Sequence, residues 1–211
     1  MSGVENNRPF RLLLVSPPAT TATELPTLQR LFEAGLQIFH LRKPGATSAK
    51  IEAYLKAVPR QYHGRVVLHG HYELAQHYRV GGLHLPAAAR TTWAARAHLR
   101  QPGHTLSTSL HSLIELRQHR RCYDYVFLSP IFDSISKQGY GQAFALTEVQ
   151  QQLQRLQQRR HYVPQVVALG GITPGNVAQV RAAGFAGAAV LGSVWQAADP
   201  VAAFRQLWRE L

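Results

Sequence analysis

Cysteine is nearly absent. Cys122 is the only one in 211 residues, which excludes an internal disulfide and points to a reducing compartment. No apolar run approaches the roughly 18 residues of a membrane-spanning helix. The opening MSGVENNRPF carries an acid and lacks an apolar core, so neither a signal nor a transit peptide is read there. A cytoplasmic protein with no membrane partner is expected. Acidic residues are also few, 11 against 23 lysines and arginines, for a formal net charge of +12. That balance favours an acidic ligand or nucleic acid. The arginines, however, gather in segments that read as solvated helix faces: Arg117, Arg120 and Arg121, then Arg155, Arg159 and Arg160. Zinc-finger spacing, RNP-like aromatics and basic heptads are all missing, so no specific nucleic-acid partner is expected.

What the chain does have is a hydrophobic fraction of 45%, enough for one good core and too short a length for two, so residues 1–211 read as one domain. Short apolar runs recur along it: RLLLV (11–15), QIFHL (37–41), RVVLH (65–69), GLHL (82–85), TLSTS (105–109), DYVFLS (124–129), QVVAL (165–169) and GAAVL (187–191). Amphipathic stretches separate them, such as LPTLQRLFEAG, with Leu25, Leu28, Leu31 and Phe32 on one stripe and Gly35 placed to end a helix. Eight βα units in an unbroken series predict a parallel sheet closed on itself, the (β/α)₈ TIM barrel. An open doubly wound sheet is disfavoured, because near-equal repeats leave no place for the strand order to reverse.

The seventh run continues into VVALGGITPGNV. Strand, two glycines, then Thr173 suited to an N-cap and Pro174 to the first helical position. Such a turn lets an anion reach the main chain at a helix N-terminus, or it is a tight βα turn that binds nothing. Barrels of this type often hold phosphate in the loops after strands seven and eight. Gly170 and Gly171 follow strand seven, and Gly192 and Ser193 follow strand eight, which favours the phosphate.

Histidines mark the other strand ends: His40 with Arg42 after strand two, His69, Gly70 and His71 after strand three, His84 on strand four, and Ser109 to His111 after strand five. Neutral imidazoles passing protons near pH 7 are the economical reading. No carboxylate accompanies them in a local metal-binding pattern, so no metal ligand is assigned. After strand six, SPIFDSISKQGYG offers Ser134, Ser136 and Lys137 as hydroxyl and ammonium groups for an anionic ligand.

Taken in order, HLRKP, GLHL, STSLHS, DYVFLSPIFDSISK, ALGGITPGNV and VLGS resemble the thiamine-phosphate synthase and thiazole tautomerase (TenI-like) superfamily over essentially the whole chain. The resemblance implies a thiazole phosphate held by the main chain at Gly170, Gly171, Gly192 and Ser193. It puts Ser134, Ser136 and Lys137 around the thiazole and pyrophosphate groups, and Arg42 and Ser109 in the pyrimidine and pyrophosphate site. The departures concern metal and base. Where synthases carry Asn-Asp after strand three this chain has His69-Gly70, and where a second carboxylate follows strand four it has Ala87, Ala88 and Ala89. The synthase's Gln-x-Arg-x-Lys is represented by His40, Arg42 and Pro44, with Lys43 one place away, and the tautomerase's strand-six histidine by Pro130.

From sequence, then, the expectation is a barrel enzyme of thiamine metabolism acting on a heterocyclic phosphate by proton transfer, with His111, His40 and His69 as candidate catalytic groups projecting into the mouth. The alternatives are a thiamine-phosphate synthase, the one case in which magnesium would be a cofactor, and a non-catalytic phosphate binder. A homo-oligomer is compatible with all three.

Overall fold

The computed structural model describes residues 9–92, 100–121, 123–133, 144–160 and 162–211. The eight apolar runs are eight parallel strands: β1 (Arg11–Val15), β2 (Ile38–Leu41), β3 (Val66–Leu68), β4 (Gly82–Leu85), β5 (Thr105–Leu110), β6 (Tyr125–Leu128), β7 (Val166–Leu169) and β8 (Gly187–Val190). Each pairs with the next, and β8 returns to β1 to close the barrel. Leu13 lies opposite Ile38 on one side and Ala189 on the other. Around the strands run α1 (Glu24–Glu33), α2 (Ser48–Ala57), α3 (Ala87–Thr92), α4 (Leu113–Gln118), α5 (Leu146–Gln157), α6 (Val177–Ala182), the one-turn α7 (Gly192–Trp195) and α8 (Pro200–Arg209). A 3₁₀ segment, Tyr72–Gln76, takes the place of a helix between β3 and β4. This is the expected (β/α)₈ fold. No helix among the described residues is long and apolar enough to cross a membrane.

Strands buried on both faces account for the uninterrupted apolar runs. Along β1, Leu12 and Leu14 pack outward under the helices, while Leu13 and Val15 point into the lumen with Tyr125, Phe127, Val167 and Ala189. Helices cover the outer layer through the stripes their spacing predicts: Leu28, Leu31 and Phe32 on α1, and Val201, Phe204 and Leu207 on α8. Asp199 caps α8 by accepting the Val201 and Ala202 N–H groups, with Pro200 at the first position.

Two local features differ from the sequence reading. Helix α6 starts at Val177 rather than after Thr173, because residues 173–176 close a turn of their own, with the Asn176 and Val177 N–H groups both donating to the Thr173 carbonyl. Asn176 holds this turn, accepting from the Thr173 N–H at 2.8 Å and donating to the Gly171 carbonyl at 2.9 Å. Lys43 is not free for a ligand. Its ammonium donates to Glu24 at 2.6 and 2.8 Å and to the Pro17 and Ala19 carbonyls, while Tyr54 donates to the same carboxylate. This ion pair is nearly fully buried, so Lys43 ties the loop after β1 to α1.

Candidate active site

The C-terminal ends of the strands carry two groups of polar residues. The first surrounds the loops after β6, β7 and β8. Gly170 and Gly171 have φ of +102° and +64°, the region that favours glycine. Their bare faces are not open. A Cβ on Gly170 would lie 3.1 Å from Pro130 Cα, and one on Gly171 would meet the Asp133 carbonyl oxygen and stand 2.6 Å from Phe132 Cβ. The strand-six segment is hydrogen-bonded along this turn, Ile131 N–H to the Leu169 carbonyl and Phe132 N–H to the Gly170 carbonyl. Glycine is therefore required here by main-chain packing, which brings the loops after β6 and β7 together.

Beside it, Gly192 and Ser193 form the first turn of α7, ahead of the intrahelical bonds that begin with Val194 and Trp195 donating to the Leu191 carbonyl. Trp195 anchors this turn through its indole N–H to the Val15 carbonyl at 2.8 Å. The Ser193 hydroxyl is buried with no hydrogen-bond partner. Native proteins satisfy such groups, and an orphan hydroxyl at a strand end is what a bound oxyanion would complete. Ser134, Ser136 and Lys137 lie outside the described residues.

The second group lies in the lumen and at its upper edge. His40 on β2 and His84 on β4 are 0% and 1% exposed, and His69, just past β3, is partly buried. His40 Nδ1 and His69 Nε2 share a hydrogen bond of 2.8 Å, and the Tyr125 hydroxyl meets His40 Nε2 at 2.8 Å. His84 lies between Ser107 Oγ at Nδ1, 2.9 Å, and Ser109 Oγ at Nε2, 3.0 Å. Burial holds all three imidazoles neutral: it pushes His40 and His69 well below the usual 6.5, with neighbouring histidine and arginine charges adding to it, and His84 down to about 3. Burial likewise pushes the Tyr125 phenol up to about 12.

The expected rim of His111, His40 and His69 is thus rearranged. His40 lies inside the barrel rather than at its mouth. His111 is exposed beyond β5, its Nδ1 3.3–3.4 Å from the Ser129 hydroxyl and carbonyl. The histidine that joins His40 and His69 is His84, whose alternation with Leu83 and Leu85 places it inward; the GLHL run carried that signal. Ser109 belongs to the same cluster through His84. Arg42 is exposed beside it, close enough for its charge to depress both His69 and His84. Its backbone is clamped to Ser16, whose hydroxyl accepts from the Arg42 N–H and donates to the Arg42 carbonyl, each at 2.8 Å.

Magnesium takes oxygen ligands, carboxylates above all. The ends of β3 and β4 offer imidazole, glycine and alanine instead. Of the acids near the mouth, Glu24 is held by Lys43, Glu73 by Ser48 and His71, and Glu115 by Arg90 and the His111 N–H. The residues at the ends of β3 and β4 do not fit that ion.

Comparison with known proteins places this geometry in context. The profile of the family described as thiamine monophosphate synthase (TMP-TENI) matches residues 12–194. The chain is 32% identical over 188 residues to a thiamine-phosphate synthase of Latilactobacillus sakei, covering 82% of this chain and 78% of that one. It is 30% identical over 203 residues to a protein of the same name from Klebsiella pneumoniae, covering 94% and 92%. Among solved structures, a thiamine phosphate pyrophosphorylase from Bacteroides thetaiotaomicron is 30% identical, with a TM-score of 0.76 over 95% of this chain and 97% of that one.

Proposed function

The chain belongs to the thiamine monophosphate synthase (TMP-TENI) family, and from that premise we propose that it is a transferase joining a pyrimidine pyrophosphate to a thiazole phosphate. The identity of 30–32% to proteins named thiamine-phosphate synthase, over four-fifths or more of the chain, carries this reading. In the reaction the C–O bond between the pyrimidine's methylene carbon and pyrophosphate breaks, and pyrophosphate leaves with the electron pair. The thiazole nitrogen donates its lone pair to that carbon, forming the C–N bond of thiamine phosphate.

The roles proposed here, those of Ser134, Ser136 and Lys137 included, are the ones that the family resemblance implies. The thiazole phosphate lies at Gly170, Gly171, Gly192 and Ser193, where it supplies the missing partner of the Ser193 hydroxyl. Arg42 meets the charge that builds on the departing pyrophosphate, together with Lys137, and Ser109, Ser134 and Ser136 orient the two substrates. No step is routed through magnesium. His40 and His69 line the lumen beneath the pyrimidine, and His111 stands at the outer edge.

A specific observation supports a second reading. A neutral imidazole pair, His69 bonded to His40, reaches from the mouth into the lumen, and such a pair can accept and return a proton in a thiazole tautomerisation. The deciding experiment incubates purified protein with both substrates and follows thiamine phosphate and pyrophosphate. Stoichiometric formation of the two products supports the transferase. Exchange of ring protons into deuterated water, without coupling, supports the tautomerase. Binding with neither identifies a carrier of the phosphate.

A further inference from the structure

Three histidines on neighbouring strands or strand ends, His40 and His84 buried and His69 partly buried, have no part in the transfer reaction. His40, His69 and His84 each present one ring nitrogen, and these three atoms lie within 4.8 Å of one another. We propose that the lumen of the barrel holds a transition-metal site, for Zn²⁺ or an ion of similar preference, ligated by His40 Nδ1, His69 Nε2 and His84 Nε2. Imidazole nitrogens suit zinc, cobalt, nickel and copper rather than magnesium. Three histidines with an open fourth position are a recognised catalytic zinc arrangement.

The outer partners are already in place. A metal-bound histidine donates its remaining ring N–H to a neighbouring oxygen. The Tyr125 hydroxyl stands 2.8 Å from His40 Nε2 and Ser107 Oγ 2.9 Å from His84 Nδ1, so both rings are oriented from behind. The hydrogen bonds now made by the ligating atoms are the ones an ion would replace. His40 Nδ1 and His69 Nε2 share one proton at 2.8 Å, and His84 Nε2 shares another with Ser109. Because each ring is neutral and carries a single N–H, binding needs tautomer shifts only: the one proton between His40 and His69 moves to the far nitrogen of the ring that carries it, His40 Nε2 facing Tyr125 or His69 Nδ1, and any proton on His84 Nε2 moves to Nδ1, facing Ser107. No proton leaves and no bond other than these hydrogen bonds is broken.

Metal entry also requires one movement. Tetrahedral donors about 2.0–2.1 Å from zinc stand roughly 3.3 Å apart, so His40 and His69 separate by about half an ångström. His69 and His84 are stacked, centroids 4.1 Å apart and planes 17° from parallel, and stacked rings cannot aim in-plane lone pairs at one ion. His40 is already edge-on to both, at 78°. His69, the most exposed of the three, is the ring that turns. The charges facing the site are cationic: Arg11 lies over the Tyr125 ring at 5.0 Å, and Arg42 and Arg90 act on His84. They weaken a divalent cation and favour an anionic fourth ligand, so the affinity falls below that of structural zinc sites.

The test uses the tag-free full chain, stripped with chelator and titrated with Zn²⁺ by calorimetry and with Co²⁺ by visible absorption. The expected result is one ion per chain and the intense d–d bands of four-coordinate Co²⁺. His69→Asn and His84→Asn should each weaken binding at least tenfold, and Tyr125→Phe, which removes only an outer partner, about 10–100-fold. The surface variant His77→Asn should bind like the parent. His69→Asn changes the least buried ligand, and a melting curve establishes that it is folded. Absence of the Co²⁺ bands at saturating metal, or undiminished binding by folded His69→Asn, would overturn the proposal. Neither result bears on whether thiamine phosphate is formed.

Discussion

Replacing Gly171 by alanine separates two reasons for a glycine that the sequence alone leaves together. At φ +64° an alanine pays the left-handed penalty, roughly 1–2 kcal/mol. Its Cβ would also stand 2.6 Å from Phe132 Cβ and 2.7 Å from the Phe132 carbonyl carbon. That neighbour is mostly main chain of the strand-six segment, which is hydrogen-bonded to β7 and cannot swing aside like a flexible side chain, so overpacking adds about 1–3 kcal/mol. Gly103 serves as the control, with φ +86° and nothing within 4 Å of its added Cβ. The midpoint of a chain this size moves roughly 2–4 °C per kcal/mol. Gly171→Ala, losing about 2–5 kcal/mol in all, should therefore melt roughly 4–20 °C below the parent, and Gly103→Ala, with the first contribution alone, roughly 2–8 °C below it. The same displacement shifts the main chain beside Gly192 and Ser193, so calorimetry with a thiazole phosphate should show affinity reduced at least tenfold in Gly171→Ala and unchanged in Gly103→Ala. Equal melting losses in the two variants, or parental affinity in Gly171→Ala, would refute the packing account.

Ser193→Ala removes a buried hydroxyl that has no protein partner. It should leave the melting temperature unchanged or slightly raised while weakening phosphate affinity about tenfold, the loss of one hydrogen bond to a charged group, as calorimetry would read. Lys43→Met strands Glu24 in the core, so denaturant unfolding should show a loss of about 3–5 kcal/mol, whereas turnover per folded molecule should stay at the parental value, because the ammonium serves the scaffold. Asp199→Ala should lower the melting temperature at pH 7 by roughly 2–4 °C through loss of the α8 cap. The Ala202 and Val201 N–H groups hold the Asp199 carboxyl below its usual range. A carboxyl with a depressed folded-state pKa stabilises above its unfolded value and loses that contribution as pH falls through the folded value. The gap between parent and variant should accordingly be constant above about pH 4 and narrow in more acid solution, as melts across that range would show.

The eight strands were legible because all but the hydroxyl-rich β5 are short, mostly apolar runs bounded by polar or turn residues, and eight such runs in series, with amphipathic stretches between them, suit a closed parallel arrangement. The helical stripe of α1 and the capping of α8 by Asp199 and Pro200 follow from local geometry as well. The phosphate turn was half legible. Adjacent glycines announced a main-chain constraint, but only the folded chain shows that their bare faces are filled, Gly170's by Pro130 and Gly171's by Phe132 and Asp133, and that the Ser193 hydroxyl beside them is left without a partner. Lys43 lies beside Arg42, one place from the position of the synthase lysine, and the sequence does not say what it binds. Its partner Glu24 is 19 residues away in sequence and meets it only through the packing of α1 against the loops after β1 and β2.

The histidines divide the two kinds of information most clearly. Alternation along β2 and β4 sends His40 and His84 to the inner face from sequence alone, since side chains in a strand repeat every two residues. Which imidazoles touch depends on strand order, stagger and the point where each strand ends. His111 has the inward parity of Ser107 and Ser109, yet β5 ends at Leu110 and its ring turns to Ser129 instead. Residue type and local period belong to the chain itself, because they act over a few residues. The meeting of His40, His69, His84 and Tyr125 across four strands belongs to the closed barrel, because only its curvature brings those side chains within hydrogen-bonding reach.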